Sequence, residues 1–204
     1  MINDLDSTLE QLLKRELPAS LVEQVAISFA APDDEFPPQS VVLPAIDLFL
    51  YDVRENRELR SNEWVVERQS NGAVTQRRAP VRVDCSYLIT AWPSKNSPNP
   101  AKDEHMLLGE VMMALLRHPV IPAAVLQGIL KGQEPPLPAV TLMPGRLQSL
   151  GEFWQALGGK PKAALNYTVT IGVEPSKPEE LGVAVTEYGV EIEENAKGVN
   201  RGER

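Results

Sequence analysis

Apolar residues near the start of the chain recur at helical spacing: Ile2, Leu5, Leu9, Leu12, Leu13 and Leu17, with charges between them. This period predicts an amphipathic helix over 2–17, ended by Pro18. Residues 24–29 read as a short strand, and 32–38 (PDDEFPP) as an acidic, proline-rich loop. In 45–53 (AIDLFLYDV) Ile46, Leu48 and Leu50 point one way and Phe49, Tyr51 and Val53 the other. Apolar side chains on both sides predict a strand covered on both faces. Runs 63–69 and 73–78 flank Ser70-Asn71-Gly72, the signal of a β-hairpin. Its strands are rich in arginine and glutamate, so it is expected to project into solvent or onto a partner.

The clearest strand covers 81–92. Val81, Val83, Cys85, Tyr87, Ile89 and Ala91 form one row, and Arg82, Asp84, Ser86 and Thr90 the other. Asn99 and Pro100 suit the N-cap and first position of a helix running to Arg117, with Arg117 and His118 at its negative end and Pro119 stopping it. Its stretch 106–116 is apolar nearly all round, broken by Gly109 and Glu110. Such a helix lies between layers or turns part of its surface to another subunit. A short helix is expected over 122–127 and a strand over 140–143. Ser149 and Glu152 have capping-box spacing ahead of a helix over 148–157 that carries Phe153, Trp154 and Leu157 and closes at Gly158-Gly159. Residues 164–173 (ALNYTVTIGV) are the last core strand. These elements predict an α+β fold: a mixed, largely antiparallel sheet packed by about three to four helices. Trp154 and Tyr167 are expected in its core.

The composition shifts after residue 173. Residues 174–204 hold eight acidic and four basic side chains, half of the chain's net charge of −8. The chain therefore divides into a body, 1–174, and an acidic C-terminal arm, 175–204. Within the arm, 183–193 (VAVTEYGVEIE) alternates like one more strand. Ala184, Thr186, Tyr188, Val190 and Ile192 form its more apolar row, opposite Val183, Val185, Glu187, Gly189, Glu191 and Glu193. Pro175 and Pro178 in the preceding linker would hold it off the body. Strand addition takes affinity from main-chain hydrogen bonds and register from alternate side chains. Val183, Val185, Thr186, Tyr188, Val190 and Ile192 are therefore the candidate partner-binding residues. An edge strand of the chain's own sheet is the alternative.

With 43% apolar and 24% charged residues in 204, the chain is long enough to bury a core. Its acidic balance does not suit phosphate neutralisation, so no nucleic-acid partner is expected. A single cysteine allows no internal disulfide, and Met1-Ile2-Asn3-Asp4 is acidic where a signal peptide would be basic. The expectation is a chain made in the cytosol.

Candidate chemistry is thin. His105 and His118 are thirteen residues apart, about 20 Å along a helix, so they cannot share an ion. Cys85 sits mid-strand between Asp84 and Ser86, without the cationic neighbour that activates a thiol. Asp33, Asp34 and Glu35 lack calcium-loop spacing. Arg77 and Arg78 read as cross-strand partners of Glu63 and Glu67. Nucleophile elbows, phosphate loops and dinucleotide fingerprints are missing from the sequence. No catalytic residue, cofactor or metal is expected, and the chain reads as a structural subunit, not an enzyme.

The run Gly151-Glu152-Phe153-Trp154-Gln155-Ala156-Leu157-Gly158, followed by Ala164-Leu165-Asn166-Tyr167-Thr168-Val169, resembles a signature of the cap, or tail-terminator, family of extracellular contractile injection systems, which are relatives of contractile phage tails. Ala164 stands where that family usually has serine. The opening leucine-rich helix, the segment around Ile46-Asp47-Leu48-Phe49, the strand 78–92, the run 103–109 and the segment 116–122 agree with it in order and spacing. The resemblance covers residues 1 to about 175, and the acidic arm departs from it. It implies a ring of six subunits, a homohexamer, that sits on the last rings of the inner tube and the sheath and stops both from growing. It makes sheath and tube proteins the expected partners and Trp154, Leu157 and Tyr167 the motif core. A neck or baseplate adaptor of a related particle is the nearest alternative. An enzyme using Cys85 or the acidic loop is the alternative from another class.

Overall fold

The computed structural model describes residues 1–68, 73–142, 150–175 and 179–183, with Leu150 and 179–183 given by their backbone alone. The described chain divides into two compact units. The first takes Met1–Ser61 and Pro80–Pro175, and the second takes Asn62–Ala79 with a strand near the C-terminus.

In the first unit, helix α1 (Ile2–Glu16) buries Leu5, Thr8, Leu9, Leu12 and Leu13, the stripe its period predicts. Leu17 breaks it with an extended ψ of 151°, as a residue before proline must. A single turn, α2 (Ala19–Val22), follows. Strands β1 (Ala26–Ser28) and β2 (Ala45–Glu55) pair in parallel. The next two strands, β3 (Trp64–Arg68) and β4 (Ala73–Arg78), belong to the second unit. Strand β5 (Val81–Trp92) runs antiparallel to β2, and β7 (Leu165–Val173) antiparallel to β5. The short β6 (Ala139–Thr141) closes the order β1-β2-β5-β7-β6. Helix α3 (Pro100–Leu116) packs with α1 over one sheet face, and α4 (Leu150–Ala156) precedes β7. The α+β fold with a mostly antiparallel sheet and four helices is thus the one expected.

One hydrophobic cluster joins α1, α3 and one sheet face: Leu5, Leu9, Leu12, Ile46, Leu48, Cys85, Tyr87, Ile89, Tyr167 and Val169 belong to it. The other sheet face is also buried, but it is polar. Asp47, Asp84, Ser86, Thr90, Thr168 and Thr170 are all less than 9% exposed. Their pairings are internal. Thr170 Oγ1 donates to Asp84 Oδ1 at 2.8 Å, Asn56 Nδ2 donates to the same carboxylate at 3.1 Å, and the Ser86 and Thr168 hydroxyls meet at 3.0 Å. Aromatic rings cover part of this face, with Phe153 against Phe49 and Tyr51 and beside Trp154.

Several local expectations need correction. Strand β2 is covered on both faces only over its first four residues, and Val53 is 46% exposed. The Asn99 side chain makes no cap hydrogen bond; Ser97 Oγ reaches Asp103 Oδ2 instead, at 2.6 Å. The helix expected over 122–127 is a pair of 3₁₀ turns, Ala123–Val125 and Gly128–Leu130. Leu126 and Gln127 between them are extended, with ψ of 137° and 156°, which breaks the helix after one turn, and Gly128 at φ +54° lies so close to the Asp4 carboxylate that a Cβ there would collide with it. Arg117 does not serve its own helix: its Nη2 donates to the Glu16 carbonyl at 3.0 Å, and His118 Nε2 meets Glu16 Oε2 at 3.1 Å. The two residues hold the C-terminus of α1.

Beyond β6, the edge of β7 is closed by a side chain. The Gly172 amide donates to Gln133 Oε1 at 3.1 Å, and the Gln133 amide donates back to the Gly172 carbonyl. This imitates one more strand residue and blocks an open edge.

In the second unit, β3 (Trp64–Arg68) and β4 (Ala73–Arg78) form the expected antiparallel pair, and β8 (Glu179–Val183) adds to β4. The order is β3-β4-β8. The predicted turn residues 70–72 lie outside the described residues.

Candidate interaction surface

Helix α3 carries more apolar surface than one core can take. Leu107, Leu108, Val111, Ala114 and Leu115 face inward and are buried. Met106, Met113 and Leu116 face outward, 51%, 53% and 48% exposed. They are seven and three residues apart, so they share one helix face. Gly109 falls between Met106 and Met113 on that face, and a Cβ built there meets nothing within 4 Å. Val120, just past the helix, is 44% exposed. One side of α3 lies in the core and the other is bare in the single chain, so the helix does not lie between two layers. Apolar stripes of this kind are common at interaction sites, and methionine suits them because its flexible thioether adapts to a partner's shape.

The hairpin carries a second apolar face. Trp64 is 46% and Val66 57% exposed, and the Arg78 guanidinium lies 4.9 Å from the Trp64 ring centre. Arg77 pairs with Glu67 at 3.0 Å, as the cross-strand reading expects, whereas Arg78 stacks on tryptophan. Of the candidate strand-addition residues, Val183 ends β8 opposite Ala73 of the chain's own hairpin. Val185, Thr186, Tyr188, Val190 and Ile192 lie outside the described residues. The sequence signal that β8 starts at Glu179 was weak, because Glu179-Glu180 opens it and glycine interrupts it.

The motif residues are placed in two environments. Tyr167 is fully buried in the aliphatic cluster. Trp154 is 1% exposed but stands outside that cluster, beside Phe153 and against Gly159. Leu157, one turn on, is half-buried.

The residues tested for chemistry have structural surroundings. Cys85 is fully buried, and burial pushes its thiol up to about 11, with the Asp84 and Asp6 charges adding to the effect. Its thiolate is therefore scarce at neutral pH. Tyr87, beside it in the core, donates to Asp6 Oδ1 at 2.7 Å. His105 is exposed on α3, while His118 faces Glu16. Among the described residues no group of His, Cys, Asp or Glu side chains could hold a metal ion. An open groove of about 600 Å³ is lined by Asp33, Trp92, Glu104, His105, Gly158 and Lys162, among others. Lys162 fills its centre of charge, with its ammonium on Glu104 and 4.5 Å from the Trp92 ring centre. No helix among the described residues is long and apolar enough to cross a membrane.

Residues 4–187 match the family model described as the Pvc16 N-terminal domain. The fold is similar to that of the sheath/tube terminator, in its extended state, of an extracellular contractile injection system, PVC, seen by cryo-EM. That match has a TM-score of 0.69 and 25% identity over 98% of this chain and 65% of the other. It is also similar to the tube-terminating cap of the anti-feeding prophage, with a TM-score of 0.60 and 29% identity over 92% of this chain and 60% of the other. The chain thus spans less than two thirds of the length of either terminator. No curated protein matches it.

Proposed function

The chain belongs to the Pvc16 N-terminal domain family, and from that premise we propose that it is a structural cap subunit, ending the inner tube and the contractile sheath of a phage-tail-like injection particle. The observation that carries this reading is the match of 98% of the chain to a sheath/tube terminator. A terminator acts by geometry. Tube and sheath rings stack through heterologous contacts, which repeat without limit until a different subunit covers the growing face. No bond is made or broken, so the role needs no catalytic residue, metal or cofactor.

A ring of copies, six by the family resemblance, is the form in which such a subunit would meet a tube end. Two different apolar faces support it, because a ring joins unlike surfaces of neighbouring copies. The outer stripe of α3, with Met106, Met113 and Leu116, serves as one contact surface. The body, 1–174, carries the capping role, and the arm, 175–204, reaches the sheath or the next cap subunit by strand addition through Val183, Val185, Thr186, Tyr188, Val190 and Ile192. Assembly takes place in the cytoplasm and the subunit ends in the particle.

The test is elongation in vitro. Purified chain is added to tube subunits polymerising on a preformed base, and tube length is measured. The reading expects shortened, blunt-ended tubes with the chain at one end. Tubes of unchanged length, free of the chain, would remove it. Truncation after Glu174 tests the arm separately: rings that form but no longer hold sheath support it, and full capping without it removes that part.

A further inference from the structure

Asp47 is the most anomalous side chain of the main sheet. It sits on β2, fully buried, and neither carboxyl oxygen has a hydrogen bond of good geometry. Its neighbours across the sheet are Ser28 on β1 and Thr90 on β5. Ser28 Oγ takes the Ala30 amide at 3.2 Å and Thr90 Oγ1 takes the Trp92 indole N–H at 2.9 Å, so Asp47 faces neutral hydroxyl groups and no cation. The rings over this face, Phe153 against Phe49 and Phe36 against Trp92, are uncharged. Lys162, whose ammonium lies over Trp92, is engaged by Glu104. The acids of the loop that follows β1, Asp33, Asp34 and Glu35, contribute nothing to the titration of Asp47, and neither does any other charged group.

A buried carboxylate with no cation beside it, and only the Ser28 hydroxyl and the Ala30 amide in weak reach, is costly to keep, and such a group holds its proton instead. We propose that Asp47 is a neutral carboxylic acid inside the fold and forms a pH-sensitive lock on the β1 edge of the main sheet. Its ionisation as the pH rises places a bare charge between β1 and β5. That charge loosens β1, whose sheet pairing is a single three-residue parallel one, and the segment 29–44 behind it. Burial pushes the Asp47 carboxyl up to about 7, with the Ser28 hydroxyl and the Ala30 amide drawing it partly back. The folded state therefore binds the proton more tightly than the unfolded chain. Stability is full below the ordinary aspartate range, is lost as the pH climbs from there to about 7, and is level above that. The fold is tightest on the acid side of neutrality.

The test compares the full chain with Asp47→Asn, which matches the neutral acid in shape and carries no proton to lose. Thermal melting is followed between pH 5.5 and 8.5, together with amide exchange of residues 26–30 and the infrared carbonyl stretch of protonated carboxyl groups. The wild type is expected to lose roughly 4–8 °C of melting temperature across this range relative to the variant. Its exchange at 26–30 is expected to rise beyond the intrinsic base-catalysed increase, with no such excess in the variant. The protonated-carboxyl band at pH 6 should fade by pH 8.5 and be missing from Asp47→Asn. Parallel melting curves, or no protonated-carboxyl band at pH 6, overturn the proposal. Should Asp47→Asn fail to fold, the band of the wild type decides alone, since its absence at pH 6 already places a charged carboxylate in the sheet.

Discussion

On one face of the five-stranded sheet, Leu48, Ile89 and Val169 meet Leu5, Leu9 and Leu12 of α1 in an aliphatic cluster. On the other face, the same strands bury Asp84, Ser86, Thr168 and Thr170 in a chain of side-chain hydrogen bonds. The difference is one of tolerance. The aliphatic face is held by area and close packing, which weaken in proportion to the atoms removed. The polar face is held by pairing, and its stability is at risk wherever one member of a pair is left alone. The first builds the body that the outer stripe of α3 decorates. The second fixes β5 against β7.

The largest effect is expected on the aliphatic face. Leu9→Ala empties a fully buried position and should cost about 3–5 kcal/mol in urea unfolding. A cost under about 1 kcal/mol would mean that α1 does not hold the sheet. Asp84→Ala should cost about 2–3 kcal/mol, because Thr170 and Asn56 both lose their acceptor; a cost as small as that of an exposed site would break the contrast between the faces. Ser86→Ala should cost about 1 kcal/mol, and adding Thr168→Val should cost little more, since the second change removes the orphan left by the first. Strict additivity of the two would contradict a pairwise polar face. The smallest stability effect is expected outside both layers. Met106→Glu with Met113→Glu, on the bare face of α3, should leave unfolding within about 0.5 kcal/mol while abolishing assembly in the elongation assay.

The two faces were not equally legible in the sequence. The helix over 2–17 and the strand over 81–92 were set by period alone, since a leucine stripe and an alternating run each admit one structure. The row Arg82, Asp84, Ser86, Thr90 was equally visible as a row. Its burial was not, because alternation gives the side of a strand and not what covers it. The cover comes from distant residues: Phe153 packs on Phe49 and Tyr51, a contact no local pattern encodes. For the same reason Trp154 was rightly read as buried, while the side of the sheet it joins was open. The excess of apolar residues on α3 announced more apolar surface than one core can bury. Which residues form it depended on where α1 and β5 lie, so Met106, Met113 and Leu116 emerged only with the fold. The 3₁₀ turns after α3 are not legible because local pattern does not show that Leu126 and Gln127 are extended, or that Gly128 packs on Asp4, more than a hundred residues earlier.

If this chain, as proposed, ends a growing tube and sheath by covering their last ring, particle length reports it. Particles from a strain lacking the chain, and from strains restored with the wild type or with Met106→Glu and Met113→Glu, are imaged by electron microscopy and their tube and sheath lengths compared. The account predicts that deletion yields tubes and sheaths of uncontrolled length and no intact particles. The wild type should restore one narrow length, and the α3 variant should behave as the deletion does. Particles of normal length and number from the deletion strain would contradict it.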